Sequence, residues 1–477
     1  MHASIIGLLS PRWLDDSGLA VHNPANDALL AHVATTAAAE MPTIIDKSAE
    51  AQREWAQRTV FARGRILQNF AALMRDHAED LGQLLTIEQG KPLSESVGEI
   101  KYAATFLDQA AEDAKRVFGE MVPSRRSGHR IMVLHQPVGV TAAITPWNFP
   151  SAMITRKLGP ALAVGCSMIV KPAEQTPLSA LALRDLATEA GIPADLFTVV
   201  VGDPAPLGQA LFNDSRVRAV SFTGSTEVGK ILMRQAANNV TRLGLELGGH
   251  APFIVFDDAD LDRAVDGAMA SKFRNAGQTC ICANRILIQD AIYDRFMERF
   301  VARTQQLVVG PGWKSGVHIG PLIDDAGIHK VQTHLDDAVS RGATVTVGGG
   351  QVKGGPGLAP RFYAPTILEG VTSDMLVSRE ETFGPIAPVR RFNTEQEAID
   401  IANDSDFGLA AYFYSRDVGR VMRVGEALEY GIVGANDGVP STAEAPFGGF
   451  KQSGLGREGG HWALDEYLET KFLSLAL

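Results

Sequence analysis

The sequence predicts an α/β protein built from two parallel-sheet domains, and three observations carry that expectation. Its 477 residues exceed one ordinary core at about 150 residues per domain. Over residues 138–247, short apolar runs alternate with helical periodicity, as the strands and crossover helices of a doubly wound sheet do. A second alternating region runs from Phe253 to Gly434. With 45% hydrophobic and 21% charged residues, the composition is that of a soluble globular chain.

The elements follow in order. Ala3 to Leu9 is apolar, but no basic segment precedes it and Pro11 and Arg12 follow, so no signal peptide is expected. From Ala49 to about Phe118 apolar residues recur every three or four positions, as in Leu67, Phe70, Leu73 and Met74. This predicts a helical lead-in with one break, at Gly90-Lys91-Pro92. The turn-like stretch Pro123 to Arg130 introduces an extended run, Ile131 to His135, expected as a hairpin arm. Strands are then expected at 138–144, 167–170, 197–201, 217–222 and 242–247, with helices at 151–163, 178–190 and 226–237. In the second region the expected strands include 253–256, 285–288, 343–347, 387–392 and 410–414, and one helix covers 261–274. Lys471 to Leu477 reads as extended and as a partner for the arm near residue 131.

The charge of −11 argues against a nucleic-acid partner, which would require clustered Lys and Arg. No apolar run approaches the roughly 18 residues of a membrane span, so no membrane partner is expected. Three cysteines, Cys166, Cys280 and Cys282, are too few for a disulfide framework, and a reducing cytoplasm is the default location. No histidine or cysteine spacing fits a metal, since Cys280 and Cys282 are one residue too close for a CxxC knuckle.

Four polar motifs fall just beyond expected strands: Thr145 to Asn148, Lys171 to Glu174, Thr223 to Ser225 and Leu247 to Gly249. Ligands of open parallel sheets bind at the carboxyl ends of strands, so these motifs should share a dinucleotide cleft. A literal glycine fingerprint, Gly454 to Gly459, lies too near the C-terminus for a strand-helix-strand unit to follow and reads as a loop. Cys280 ends a loop, Asn275 to Thr279, that looks too polar for a core. It is either a small buried hydrophobe or, with a lowered pKa in the cleft, a nucleophile. Glu246 ends an apolar strand and is either half of a structural ion pair or a base of raised pKa. Asn148, between Trp147 and Pro150, can donate its amide to an oxyanion or close an Asx turn.

Pro-Trp-Asn-Phe-Pro at Pro146, Lys-Pro-Ala-Glu at Lys171, Phe-Thr-Gly-Ser at Phe222 and Leu-Glu-Leu-Gly-Gly at Leu245 come in that order. Gly-Gln-Thr-Cys at Gly277, Glu-Thr-Phe-Gly-Pro at Glu381 and Pro-Phe-Gly-Gly at Pro446 follow them. In this order the motifs resemble the aldehyde dehydrogenase superfamily, over nearly the whole chain from His22-Asn23-Pro24-Ala25 onward. The resemblance implies a Rossmann-type parallel sheet for NAD in residues 1–120 and 138–247. It implies a second α/β catalytic domain in 248–440 and a small β oligomerisation arm from 121–137 and 463–477, in a homodimer or homotetramer. It implies that Cys280 attacks the aldehyde, that the Asn148 amide and the Cys280 N–H hold the oxyanion, and that Glu246 activates the water that hydrolyses the thioester. For the cofactor it implies Lys171 and Glu174 at the adenosine ribose, Gly224 and Ser225 at the pyrophosphate, and Glu381 with Phe383 at the nicotinamide ribose. Trp147 and Leu247 line the same cleft. The Glu174 carboxylate would repel a 2′-phosphate, so NAD is expected over NADP.

Within the superfamily, Phe149 to Lys157, Lys272 to Asn275, Cys280-Ile281-Cys282 and Glu466 to Glu469 are most similar to the branch that oxidises succinate semialdehyde. That similarity implies that Arg156, Arg274 and Ser441 bind the substrate carboxylate, as guanidinium forks do. Glutarate semialdehyde, one methylene longer, would fit the same residues. A catalytically silent relative is the alternative of another class, and it would be expected to lack Cys280 or Glu246. Cys282 is either the partner of Cys280 in a redox-switch disulfide, closed by a mobile loop, or an inert neighbour. His250 departs from the Lys, Asn or Leu common in relatives.

Overall fold

The computed structural model describes residues 9–353 and 355–477. The apolar stretch from Ala3 lies outside these residues up to position 8. A two-stranded hairpin, Leu14–His22 with Leu29–Val33, leads into four helices: Met41–Gln57, Val60–Asp76, Ala78–Gln89 and Leu93–Asp113. Thr59 caps the second of these by accepting from the Ala62 N–H. The predicted break is real, because Gly90 takes a left-handed φ of 103° that ends the third helix and Pro92 precedes the fourth.

The first large sheet has six strands, in the order Gly454–Leu455, Arg242–Glu246, Val217–Thr223, Val140–Ile144, Ser167–Lys171 and Phe197–Val199. All pairings are parallel except that of Gly454–Leu455, which runs antiparallel to Leu245 and Glu246. The misleading glycine fingerprint is thus an edge strand and its loop, laid against the strand that carries Glu246. Neighbouring residues of the central strand face opposite cores, Ala143 toward the helical lead-in and Ala142 toward the cluster containing Phe222 and Leu245.

The second large sheet has seven strands, in the order Thr344–Val347, Thr366–Glu369, Ile386–Phe392, Ala283–Gln289, Ala251–Val255, Ala410–Tyr414 and Ile432–Ala435. Only its first pair is antiparallel. Phe253 and Tyr412 face one core while Ile254 and Phe413 face the other, which is why these strands read as continuous apolar runs. The arm is a three-stranded antiparallel sheet in which Leu468–Ala476 pairs with His129–Pro137, which pairs with Glu120–Val122. Leu464 and Tyr467, just before its last strand, are buried in the first core. Among the described residues, no helix is long and apolar enough to cross a membrane.

Candidate active site

The candidate residues sit where strands and helices stop. Asn148 follows Val140–Ile144 and Gly224 follows Val217–Thr223, the adjacent strands between which the winding of the six-stranded sheet reverses. Such a reversal opens a crevice at the strand ends. Ser225 accepts from the Val228 N–H and caps the helix Thr226–Ala236, whose first-turn N–H groups suit an anion.

Cys280 lies beyond the helix Leu261–Phe273, past a turn in which Asn275 and Ala276 take left-handed φ of 50° and 54°. Its polar composition suggests a solvated, mobile loop, and here the structure corrects the expectation: residues 275–279 are buried. Their polar groups satisfy one another and their neighbours. Gln278 Nε2 donates to the Asn275 carbonyl at 3.1 Å, the Ile323 N–H donates to Gln278 Oε1 at 3.0 Å, and Glu95 Oε2 accepts from the Asn275 N–H at 2.8 Å. A closed set of hydrogen bonds offsets the desolvation that composition alone would forbid.

Two cavities meet at Cys280. One, of about 340 Å³, is lined by Trp147, Asn148, Gly224, Ser225, Leu247, Glu381 and Phe383 as well as Cys280. The other, of about 320 Å³, is lined by Arg156, Arg274 and Ser441, together with Tyr102, Phe447 and again Cys280. The structure therefore gathers six of the eight expected nucleotide residues in one cavity and all three expected carboxylate ligands in the other. Lys171 and Glu174 stand outside the first cavity's wall, at the end of their strand, in an ion pair with each other.

In the second cavity, the Arg156 guanidinium stacks 3.7 Å from the Phe447 ring centre while its Nη2 is buried without a partner. Arg274 lies over Phe149 at 5.3 Å, and Ser441 Oγ is 2.6 Å from the Tyr102 hydroxyl. Tyr102 is absent from the sequence-based candidates because a tyrosine on an amphipathic helix looks like an ordinary core edge. At the seam, Asn148 Nδ2 donates to the Gln278 carbonyl at 3.0 Å.

The expectation of a lowered thiol pKa also needs correction. Burial pushes the Cys280 thiol up to about 12, and the Arg156 charge only partly opposes it. Burial, and then the neighbouring Glu458, hold the Glu246 carboxyl well above the usual carboxylate range. Glu246 lines neither Cys280 cavity. It turns into a separate space of about 20 Å³, room for about one water, shared with Arg156, Ser221, Glu458 and Tyr467. Its Oε2 is buried and unpartnered. Lys157 reaches into the same region, pairing with Glu458 and donating to Thr223 Oγ1 at 2.7 Å. The readable signal for this pair was Lys157 itself, an ionised residue inside an apolar helix, which demands a buried partner.

Cys282 is buried, and its thiol donates to the Lys272 carbonyl at 3.2 Å. Cys280 and Cys282 are both free thiols. His250 is buried with neither ring nitrogen partnered, and burial holds its pKa well below the usual histidine range.

The family model described as the aldehyde dehydrogenase family matches residues 13–473. The chain is 53% identical over 474 residues to a succinate-semialdehyde dehydrogenase [NADP(+)] of Escherichia coli, covering 98% of this chain and 97% of the relative. It is 51% identical over 472 residues to a glutarate-semialdehyde dehydrogenase of Pseudomonas putida, covering 98% and 97%. The crystal structure of succinate-semialdehyde dehydrogenase from Burkholderia pseudomallei superposes with a TM-score of 0.96 at 49% identity, covering 99% of each chain. The chain belongs to the aldehyde dehydrogenase family and is an enzyme that oxidises aldehydes.

Proposed function

We propose that the enzyme oxidises succinate semialdehyde, or a closely related ω-carboxylated semialdehyde, to the carboxylic acid with NAD as the preferred cofactor. The observation that carries this reading is the position of Cys280, which lines both a cavity at the strand ends and a second cavity holding Arg156, Arg274 and Ser441. Two guanidinium groups and a thiol lining one cavity fit a chain with a carboxylate at one end and an aldehyde at the other. Relatives named for succinate and for glutarate semialdehyde support the same substrate class. A methylene separates these substrates by only about 1–3 kcal/mol in a pocket.

The first cavity fits a dinucleotide: small residues at Gly224 and Ser225 let a pyrophosphate approach the N-terminus of helix Thr226–Ala236, and Glu381 lines the same cavity. When bound, the nicotinamide supplies the hydride acceptor. The protein's own residues do the rest. Cys280 gives its proton to water in the open cavity, and its sulfur bonds to the aldehyde carbon as the carbonyl π pair moves onto oxygen. The Asn148 amide, with one N–H held by Gln278, turns the other toward the developing oxyanion beside the Cys280 N–H. After oxidation the acyl group is a thioester on Cys280. Glu246, swinging from the space it shares with Glu458, takes a proton from the water that releases the acid, and the contact between Lys157 and Glu458 offers that proton a way out.

Glu174 supports NAD over NADP, because its carboxylate can accept from a ribose hydroxyl and repels a phosphate. Exposed Phe472, Leu473 and Leu475 on the arm support a homodimer or homotetramer. The test is growth of reduced-nicotinamide absorbance with NAD and succinate semialdehyde. We expect turnover in the wild type and none above background in Cys280→Ser; undiminished turnover in that variant would overturn the reading.

A further inference from the structure

The Gly90-Lys91-Pro92 break does more than separate two helices. Lys91 has a fully buried side chain whose ammonium donates to Glu99 Oε2 at 2.6 Å and to the Asn148 carbonyl at 2.6 Å, and it lies 3.8 Å from the Phe149 ring centre. A buried ammonium has three N–H donors to satisfy, and Lys91 directs one of them to a backbone carbonyl of the candidate oxyanion residue, which ties that peptide to the turn. The same turn also grips the cysteine loop. The Lys91 N–H donates to Gln89 Oε1 at 3.0 Å, and Gln89 Nε2 donates to Asn275 Oδ1 at 3.1 Å. Asn275 Nδ2 closes the ring by donating to the Asn148 carbonyl at 3.1 Å.

The turn is itself anchored to the second domain. The Leu93 N–H donates to the Gly312 carbonyl at 3.0 Å, and a Cβ on Gly312 or Gly320 would fall 2.3 Å from the Lys91 carbonyl oxygen or 2.2 Å from that of Gly90. Glu99 extends the grip, its Oε1 accepting from the Ser151 N–H at 2.9 Å and the Ala152 N–H at 3.2 Å, directly after the Asn148 segment. One short turn thus touches the strand-end loop of the first sheet and the cysteine loop of the second.

We propose that Lys91 is a positioning residue for catalysis: its bond to the Asn148 carbonyl fixes the Asn148 peptide, and through it the side-chain amide, at the distance from Cys280 that the oxyanion requires. This rests on the reading of Asn148 as the oxyanion donor. A donor misplaced by about 1 Å costs about 100-fold in rate, and removing such a donor costs about 100- to 1000-fold.

The experiment measures kcat, KM for NAD and for succinate semialdehyde, and the melting temperature. It compares wild type, Lys91→Met, Lys91→Met with Glu99→Gln, Asn148→Ala, and Lys91→Met with Asn148→Ala. The paired change at 91 and 99 removes both charges together, so it covers the case in which Lys91→Met leaves a bare carboxylate and fails to fold. We expect Lys91→Met to lose about 100-fold in kcat with little change in either KM. The loss should persist when Glu99 is also neutralised, and Lys91→Met should add nothing in the Asn148→Ala background. Recovery of the wild-type rate in the Lys91→Met/Glu99→Gln enzyme would overturn the inference, leaving Lys91 as a charge partner only. So would losses at Lys91 and Asn148 that multiply. An Asn148→Ala enzyme with normal kcat would bring down the oxyanion reading, and this inference with it.

Discussion

The two cavities that meet at Cys280 are nearly equal in volume, about 340 and 320 Å³, yet they are built by different means. One wall of the first is made of strand ends: Trp147, Gly224 and Leu247 each follow a strand of the six-stranded sheet, so topology brings them together. The second is made of side chains from unrelated places: Tyr102 from the helical lead-in, Arg156 from a crossover helix, Arg274 from a helix end and Ser441 from a loop. A site built by topology keeps its position when one side chain changes. A site built by side chains holds its specificity in a few of them.

That contrast breaks first at Arg274. Arg274→Ala should lower kcat/KM for succinate semialdehyde by about 100-fold, the worth of a charged hydrogen bond, while use of an uncharged aldehyde and KM for NAD hardly change. Equal losses on charged and uncharged aldehydes would mean that the second cavity does not hold a carboxylate. At the seam between the cavities, burial pushes the Cys280 thiol up to about 12. Because only the thiolate alkylates, iodoacetamide inactivation of the free enzyme should accelerate about tenfold per pH unit from pH 7 to 9. A plateau in that range would indicate that a neighbour activates the thiol even without cofactor.

Nucleotide choice should respond to charge just outside the first cavity's wall. Glu174→Gln removes the carboxylate and frees Lys171 from its ion pair, so NADP use relative to NAD should improve about tenfold, read from kcat/KM for each. An unchanged ratio would place the discrimination elsewhere. The smallest effect lies behind both cavities. His250 is held neutral, with a folded pKa well below 6.5, so its contribution is present above pH 6.5 and lost as pH falls toward the folded value. His250→Leu should therefore flatten the acid-side fall in unfolding free energy, by about 1–2 kcal/mol at pH 5. Parallel stability curves for the two proteins would count against it.

Much of this was legible in the sequence, for reasons that differ by region. The strands at Ala410–Tyr414 and His129–Pro137 follow from apolar runs and turn residues, which act locally. The order of motifs brought Cys280, Asn148 and Gly224 to one crevice. What could not be read was how polar groups are satisfied across long separations. Asn275 and Gln278 looked solvated because their partners, Glu95 and Ile323, lie far away in the chain. Glu246 looked as though it belonged beside the thiol, yet it turns toward Glu458 and Lys157, whose proximity no local pattern encodes. The thiol's pKa depends on the balance between desolvation and Arg156, which requires coordinates to weigh.

The glycine pair after Glu246 gives the enzyme a bearing surface. A Cβ on Gly249 would sit 2.2 Å from the carbonyl oxygen of Cys280, so the main chain at Cys280 rests directly on the chain that leaves the strand ending in Glu246. The spacing between residues 246 and 280 is thus gauged by backbone against backbone, with no side chain between to bend or change rotamer. A methyl group at Gly249 would act as a shim, displacing the main chain at Cys280 without altering any other side chain.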